Sequence, residues 1–144
     1  MYDPEFKNAT SSSANGAVVH RIRATVLVAD SERHHRAELA EMLIRRGYFV
    51  AFASNGEEAL TRIEKGGIDL LLSAVSMPLM DGLELLRKLR DNDIHIPSVI
   101  IASGECEIDA LYLKSAALLG AAATYTRPLS AAVFLNSLRE ILAG

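Results

Sequence analysis

Asp69-Leu-Leu-Leu-Ser-Ala-Val-Ser-Met-Pro-Leu-Met-Asp-Gly82 holds a strand, a short loop and the start of a helix in one stretch. Ile68 to Ser73 is apolar enough for a strand covered on both faces. Asp81 is placed to cap a helix, and Leu85, Leu86 and Leu89 follow at helical spacing as its inward face. A strand buried on both sides and followed directly by a helix is one unit of a parallel sheet, and the sequence on either side repeats it.

Towards the N-terminus, Thr25 to Ala29 reads as a strand, and Arg33 to Arg46 as a helix with Ala40, Leu43 and Ile44 on one face. Gly47 stands where a left-handed helix end is wanted. Tyr48 to Ala53 is the second strand; Ser54 and Glu57 have capping-box spacing and open a helix carrying Ala59, Leu60 and Ile63. Towards the C-terminus, Ser98 to Ala102 is the fourth strand. A fourth helix is predicted over Glu107 to Leu119, with Ala110, Leu113 and Ala117 inward. Ala121 to Tyr125 is a fifth strand of weak propensity, and Ser130 starts a last helix striped by Phe134, Leu138 and Ile141. Strict alternation predicts an α/β fold, a doubly wound (βα)5 three-layer sandwich. Right-handed crossovers favour a parallel five-stranded sheet in the flavodoxin-like order 2-1-3-4-5. Ligands of such sheets sit at the carboxyl ends of the strands, which directs attention to Asp30-Ser31, Ala74 to Asp81, Ala102-Ser103 and Arg127-Pro128.

Composition bounds the rest. The 144 residues are half apolar, enough for one core, and no apolar run reaches the roughly 20 residues of a membrane span. Asn8 to Gly16 is small and polar without usable periodicity, so residues 1–23 are expected to be a flexible leader, with Met1 to Phe6 in part a cloning remnant; residues 24–144 form the domain. A formal charge of −3 is mild and argues neither for a nucleic-acid-binding surface nor for a solvating acidic tail, so no nucleic-acid partner is expected. The single cysteine, Cys106, suits a reducing cytoplasm.

Taken in order, the loops resemble the receiver domain of bacterial response regulators over about Thr25 to Ala143. The resemblance rests on Asp69 to Gly82 with its Met77-Pro78 and Met80-Asp-Gly82, on Leu27-Val-Ala-Asp30, on Gly47-Tyr48, on Ser54-Asn-Gly-Glu-Glu-Ala-Leu60, and on Gly120-Ala121 ahead of Arg127-Pro128. It implies two-component signalling, in which an aspartate at the third strand's end accepts a phosphoryl group. Two neighbouring acids hold Mg²⁺, while a lysine and a strand-four hydroxyl stabilise the phosphate. It also implies a cis peptide bond before Pro128.

This sequence departs from that pattern at nearly every chemical position. Register from Met77-Pro78 puts Ala74 at the phosphoacceptor, and a methyl group cannot take a phosphoryl. The acidic pair has become Asp30-Ser31, the hydroxyl position is Ala102, the lysine is Arg127, and the aromatic switch position is Thr124 with Tyr125 one place along. Ser103 is expected to face away from the pocket. Losses across separate loops point to a degenerate receiver that has left the chemistry, without enzymatic activity and with weak or absent Mg²⁺ binding.

Asp30 admits two readings, a residual metal ligand or a strand-end carboxylate paired with Arg127; the second is preferred because one carboxylate makes a poor Mg²⁺ site. His34 and His35 are read as solvated helix-start residues, since adjacent helical positions diverge. The fourth helix is apolar beyond its stripe, and with Tyr112, Leu118, Thr124 and Tyr125 it marks a surface of fourth helix, fifth strand and fifth helix for a protein partner or a homodimer. The alternative is a receiver still accepting phosphoryl with Mg²⁺ at an unusual residue such as Asp81 or Ser76. A flavin-type ligand is disfavoured because the Asp30 to His35 loop has no glycine and places acids where a phosphate wants amides.

Overall fold

The computed structural model describes residues 23–144; apart from Arg23, the expected leader lies outside them. Among the described residues, β1 (Thr25–Ala29), α1 (Arg33–Arg45), β2 (Phe49–Ala53), α2 (Gly56–Glu64), β3 (Leu70–Ala74), α3 (Gly82–Asp91), β4 (Ser98–Ala102), α4 (Asp109–Leu118), β5 (Ala123–Thr126) and α5 (Ala131–Ala143) alternate without interruption. All strand pairs are parallel and the order is β2-β1-β3-β4-β5, the doubly wound arrangement the alternation predicts.

Side chains alternate across each strand. Val26, Val28, Leu70, Leu72, Val99 and Ile101 pack under α1 and α5. Their neighbours Leu27 and Leu71 pack under α2 and α3, and Ile100 packs under α3 and α4. That two-sided cover is why Leu70 to Ser73 is buried throughout. The register aligns Ala29 with Ser73, Ala74 with Ile101 and Ala102 with Thr126, so the loops that follow gather at one edge.

Local chemistry fixes that edge. Asp81 caps α3, its Oδ1 accepting from the Glu84 N–H at 2.8 Å. Ahead of it, Leu79 has φ 69° and the Met80 N–H donates to the Pro78 carbonyl at 2.7 Å, a strained γ-turn that leaves Leu79 72 % exposed. Gly56 lies against this turn, its N–H donating to the Met80 carbonyl; a Cβ on Gly56 would come 2.3 Å from that oxygen. Gly47 ends α1 with φ 91°, the left-handed conformation anticipated for it.

Several expectations are corrected. The third strand runs Leu70–Ala74; just ahead of it Asp69 meets the start of β1, its carboxylate accepting from the Thr25 N–H at 2.8 Å and its own N–H donating to the Thr25 carbonyl at 2.9 Å. The cap of α2 is Asn55, whose Oδ1 accepts from the Glu58 N–H, while Glu58 reaches back to the Ser54 N–H; the box is shifted one place from Ser54 and Glu57. In α1 the buried residues are Leu39, Ala40 and Leu43, with Ile44 only half-buried. The greatest change is in α4. Ala116 is its one buried residue, Ala110 and Ala117 are exposed, and Leu113 is half-buried. β5 begins at Ala123 rather than Ala121.

Candidate functional site

Asp30, Ser31, Ala74, Ser76, Ser103 and Arg127 come together at the carboxyl edge, around a cavity of about 280 Å³. Glu32, His35, Glu105 and Asp109 complete its polar lining, so carboxylates outnumber the guanidinium of Arg127. Two positions at the fourth strand's end differ from expectation. Ala102 is fully buried and packs with Ile100, Leu86 and Ala116, away from the cavity. Ser103, expected to face away, lines the cavity instead, because the chain leaves strand geometry after Ala102 and the alternation no longer applies.

At the end of β3, Ala74 presents only a methyl group. Several of the oxygen functions around it are already hydrogen-bonded. The Ser73 hydroxyl donates to the Ala74 carbonyl at 2.8 Å, and Gly82 packs so closely that a Cβ there would come 2.3 Å from the same oxygen. Asp81 spends a carboxylate oxygen on its helix cap and does not line the cavity. The Ser103 hydroxyl lies 3.4 Å from Asp109 Oδ2 and accepts from the Glu105 N–H at 3.2 Å. Asp109 also accepts from the Gly104 N–H at 3.1 Å.

Asp30 is 6 % exposed. Its Oδ1 accepts from the Glu32 N–H at 2.9 Å, and its Oδ2 stands 3.5 Å from Nδ1 of His35. The expected pairing of Asp30 with Arg127 is therefore corrected: Asp30 turns to α1, and Arg127 donates through Nη1 to Glu38 of α1. His35 is corrected as well, for its side chain is 21 % exposed beside Asp30, whereas His34 is 78 % exposed and solvated. A divalent magnesium ion requires several oxygen ligands with carboxylates among them. Here Ser31 and Ala74 supply no carboxylate, Asp30 already accepts a hydrogen bond on one oxygen and faces His35 with the other, and no group of three His, Cys, Asp or Glu side chains is placed to hold a metal among the described residues. The donor set does not fit the ion.

Asp109 and Glu38 were not selected from the sequence, and His35 was read only as a solvated helix-start residue. Asp109 had a usable signal, an acid opening the helix after a strand at the ligand edge. Glu38 had none, because it meets Arg127 across 89 residues.

With this geometry in place, the family is decided by similarity: the response regulator receiver domain matches residues 26–139. The chain belongs to that family. Its fold is similar to a crystal structure of FixJ-N (TM-score 0.77, 28% identity, covering 85% of this chain and 96% of that one). It is likewise similar to CheY4, a chemotaxis response regulator of Vibrio cholerae (TM-score 0.72, 25% identity, 83% and 99% covered). Among curated proteins it is 34% identical over 105 residues to the alkaline phosphatase synthesis transcriptional regulatory protein PhoP of Bacillus subtilis, covering 73% of this chain and 42% of that protein. It is 29% identical over 117 residues to the transcriptional regulatory protein TrcR of Mycobacterium tuberculosis, covering 81% and 44%. The receiver thus spans less than half the length of these two relatives. No helix among the described residues is long and apolar enough to cross a membrane.

The four residues expected to form one surface divide between the two faces of the sheet. Thr124 pairs in register with Ile100, and Tyr112 is half-buried against Leu86, Ile100 and Ala116 on the α4 side. Tyr125 points to the opposite side, where its ring meets Phe134 edge-on at 5.2 Å. Leu118 is 81 % exposed. Ile108, Leu111 and Leu118 are all exposed, at intervals that keep them on one side of α4, and Val133 of α5 is exposed too.

Proposed function

We propose that this receiver acts as a phosphorylation-independent docking module within two-component signalling, in the cytoplasm and without catalysis. The observation that carries the reading is the methyl group of Ala74 at the carboxyl end of β3, where phosphoryl acceptance needs an oxygen nucleophile. The placement of the nearby carboxylates supports it: Asp30 is nearly buried and accepts from the Glu32 N–H, and Asp81 caps α3 outside the cavity. Incubation with acetyl phosphate and Mg²⁺ is expected to leave the intact mass unchanged. Gain of one phosphoryl mass would establish the alternative, transfer to an unusual residue, with Ser76 the first to be mapped because it lines the cavity.

Without a phosphoryl group to bias two conformations, output has to come from differential contact with a partner. The face of α4, β5 and α5 is the proposed surface, for a protein partner or a second copy, and the exposed Leu111 and Leu118 support it. Leu111→Asp with Leu118→Asp is expected to abolish capture of the partner, or dimerisation in sedimentation, while leaving the thermal midpoint within a few degrees because both side chains already face water. Undiminished capture and an unchanged association state would exclude this face.

A further inference from the structure

Arg127 is held by its backbone and its side chain at once. Its N–H donates to the Ala102 carbonyl at 3.0 Å, and its own carbonyl lies so near Gly104 that a Cβ there would approach it to 2.6 Å. The side chain is only 12 % exposed; Nη1 donates to Glu38 on α1, and Nη2 is buried without an acceptor among the described residues. A guanidinium so placed is poorly hydrated and stays charged, so it requires a counter-charge. Asp30, which lines the same cavity from the end of β1, turns its carboxylate to Glu32 and His35. Glu38 is therefore the anion that balances Arg127, and its carboxylate is 57 % exposed, within reach of solvent and of any incoming surface.

We propose that the Glu38–Arg127 pair is a latch that fastens the β5–α5 connection to α1 and gives this edge one settled arrangement with no phosphoryl group present. Removing the carboxylate strands a nearly buried cation, which escapes to water only by carrying the connection outward. The consequence is local opening around Arg127 and the first turn of α5, not loss of the sheet. Because Glu38 is the exposed member, the latch can be released from outside, and the device deepens the phosphorylation-independent reading by naming the contact that holds the edge.

Amide hydrogen exchange on the full chain tests it, comparing the parent with Glu38→Gln and Glu38→Lys. The Arg127 and Phe134 amides, bonded to the Ala102 and Ser130 carbonyls, are the reporters; the Leu71 amide, bonded to the Pro97 carbonyl beside the central strands, is the control. Glu38→Gln is expected to accelerate Arg127 exchange about tenfold and Glu38→Lys further, by repulsion, while Leu71 stays within about twofold. Arg127 exchange within twofold of the parent in Glu38→Gln overturns the latch, as does equal acceleration at Leu71 or a lysine variant no faster than the glutamine one. The acetyl phosphate measurement is made on the parent alone, so a phosphorylated parent defeats the docking reading while the exchange pattern decides the latch separately.

Discussion

Phe134→Ala is expected to destabilise the domain by about 3–5 kcal/mol, the usual range for deleting a fully buried phenylalanine. The side chain has 0 % exposure and packs among Val26, Val28, Leu39, Leu43 and Leu138, so it joins α5 to α1 over the central strands. Its edge-on contact with Tyr125, centroids 5.2 Å apart, adds a directional term that alanine cannot replace. For a domain of this size the loss corresponds to a fall in melting temperature of roughly 10–20 °C. Val133→Ala, one residue away but 62 % exposed, serves as the comparison and is expected to change stability by less than about 0.5 kcal/mol. If both variants melted within a few degrees of the parent, α5 would not be docked by the layer described. The same substitution removes the support behind β5, so the Arg127 connection should loosen with it.

The fold was legible wherever burial follows a strict period. β1 and β4 have the bounds expected of them, and the inward face of α3 is the expected Leu85, Leu86 and Leu89. Reading failed where composition carries no period. α4 has alanines and leucines spread around its circumference, so several faces suit burial equally, and tertiary packing selected Ala116 over Ala110 and Ala117. β5, begun in an alanine run, slipped by two residues for the same reason. Polar side chains near element ends misled in another way: Asp69 and Asn55 each bind a backbone N–H that propensity does not anticipate.

The site divides along a similar line. Positions set by backbone register, namely Ala74, Asp30 and Arg127, come together at the carboxyl edge because Met77-Pro78 and Pro128 fix the count from either side. What each charged side chain touches was not legible. Arg127 and Asp30 line the same cavity from the ends of β5 and β1, yet rotamer and reach send one to Glu38 and the other to His35. Such choices depend on distances of a few ångströms between elements far apart in sequence, and no local pattern encodes them.

Gly82→Ala probes the backbone on which that edge is built. Gly82 opens α3, its N–H donating to the Val75 carbonyl at 2.8 Å and drawing the helix start over the end of β3. A Cβ there would come 2.3 Å from the Ala74 carbonyl oxygen and 3.2 Å from the Ser73 hydroxyl, and the closer of these is backbone that a rotamer change cannot move. Relief requires α3 to shift off the sheet, taking Leu85, Leu86 and Leu89 out of register with the buried positions they fill. Overpacking of this kind typically costs about 1–3 kcal/mol, and more where the obstacle is rigid, so a loss of at least about 3 kcal/mol is expected by urea unfolding. Gly66→Ala separates sterics from backbone strain. Gly66 has φ 86° but nothing within 4 Å of the added carbon, so only the left-handed penalty of roughly 1–2 kcal/mol applies. The expected order, Gly82→Ala well below Gly66→Ala and both below the parent, places the larger cost at the position with no unusual φ. The reverse order would mean that α3 yields easily, and that the close seating of its N-terminus on Ala74 is not what shapes the end of β3.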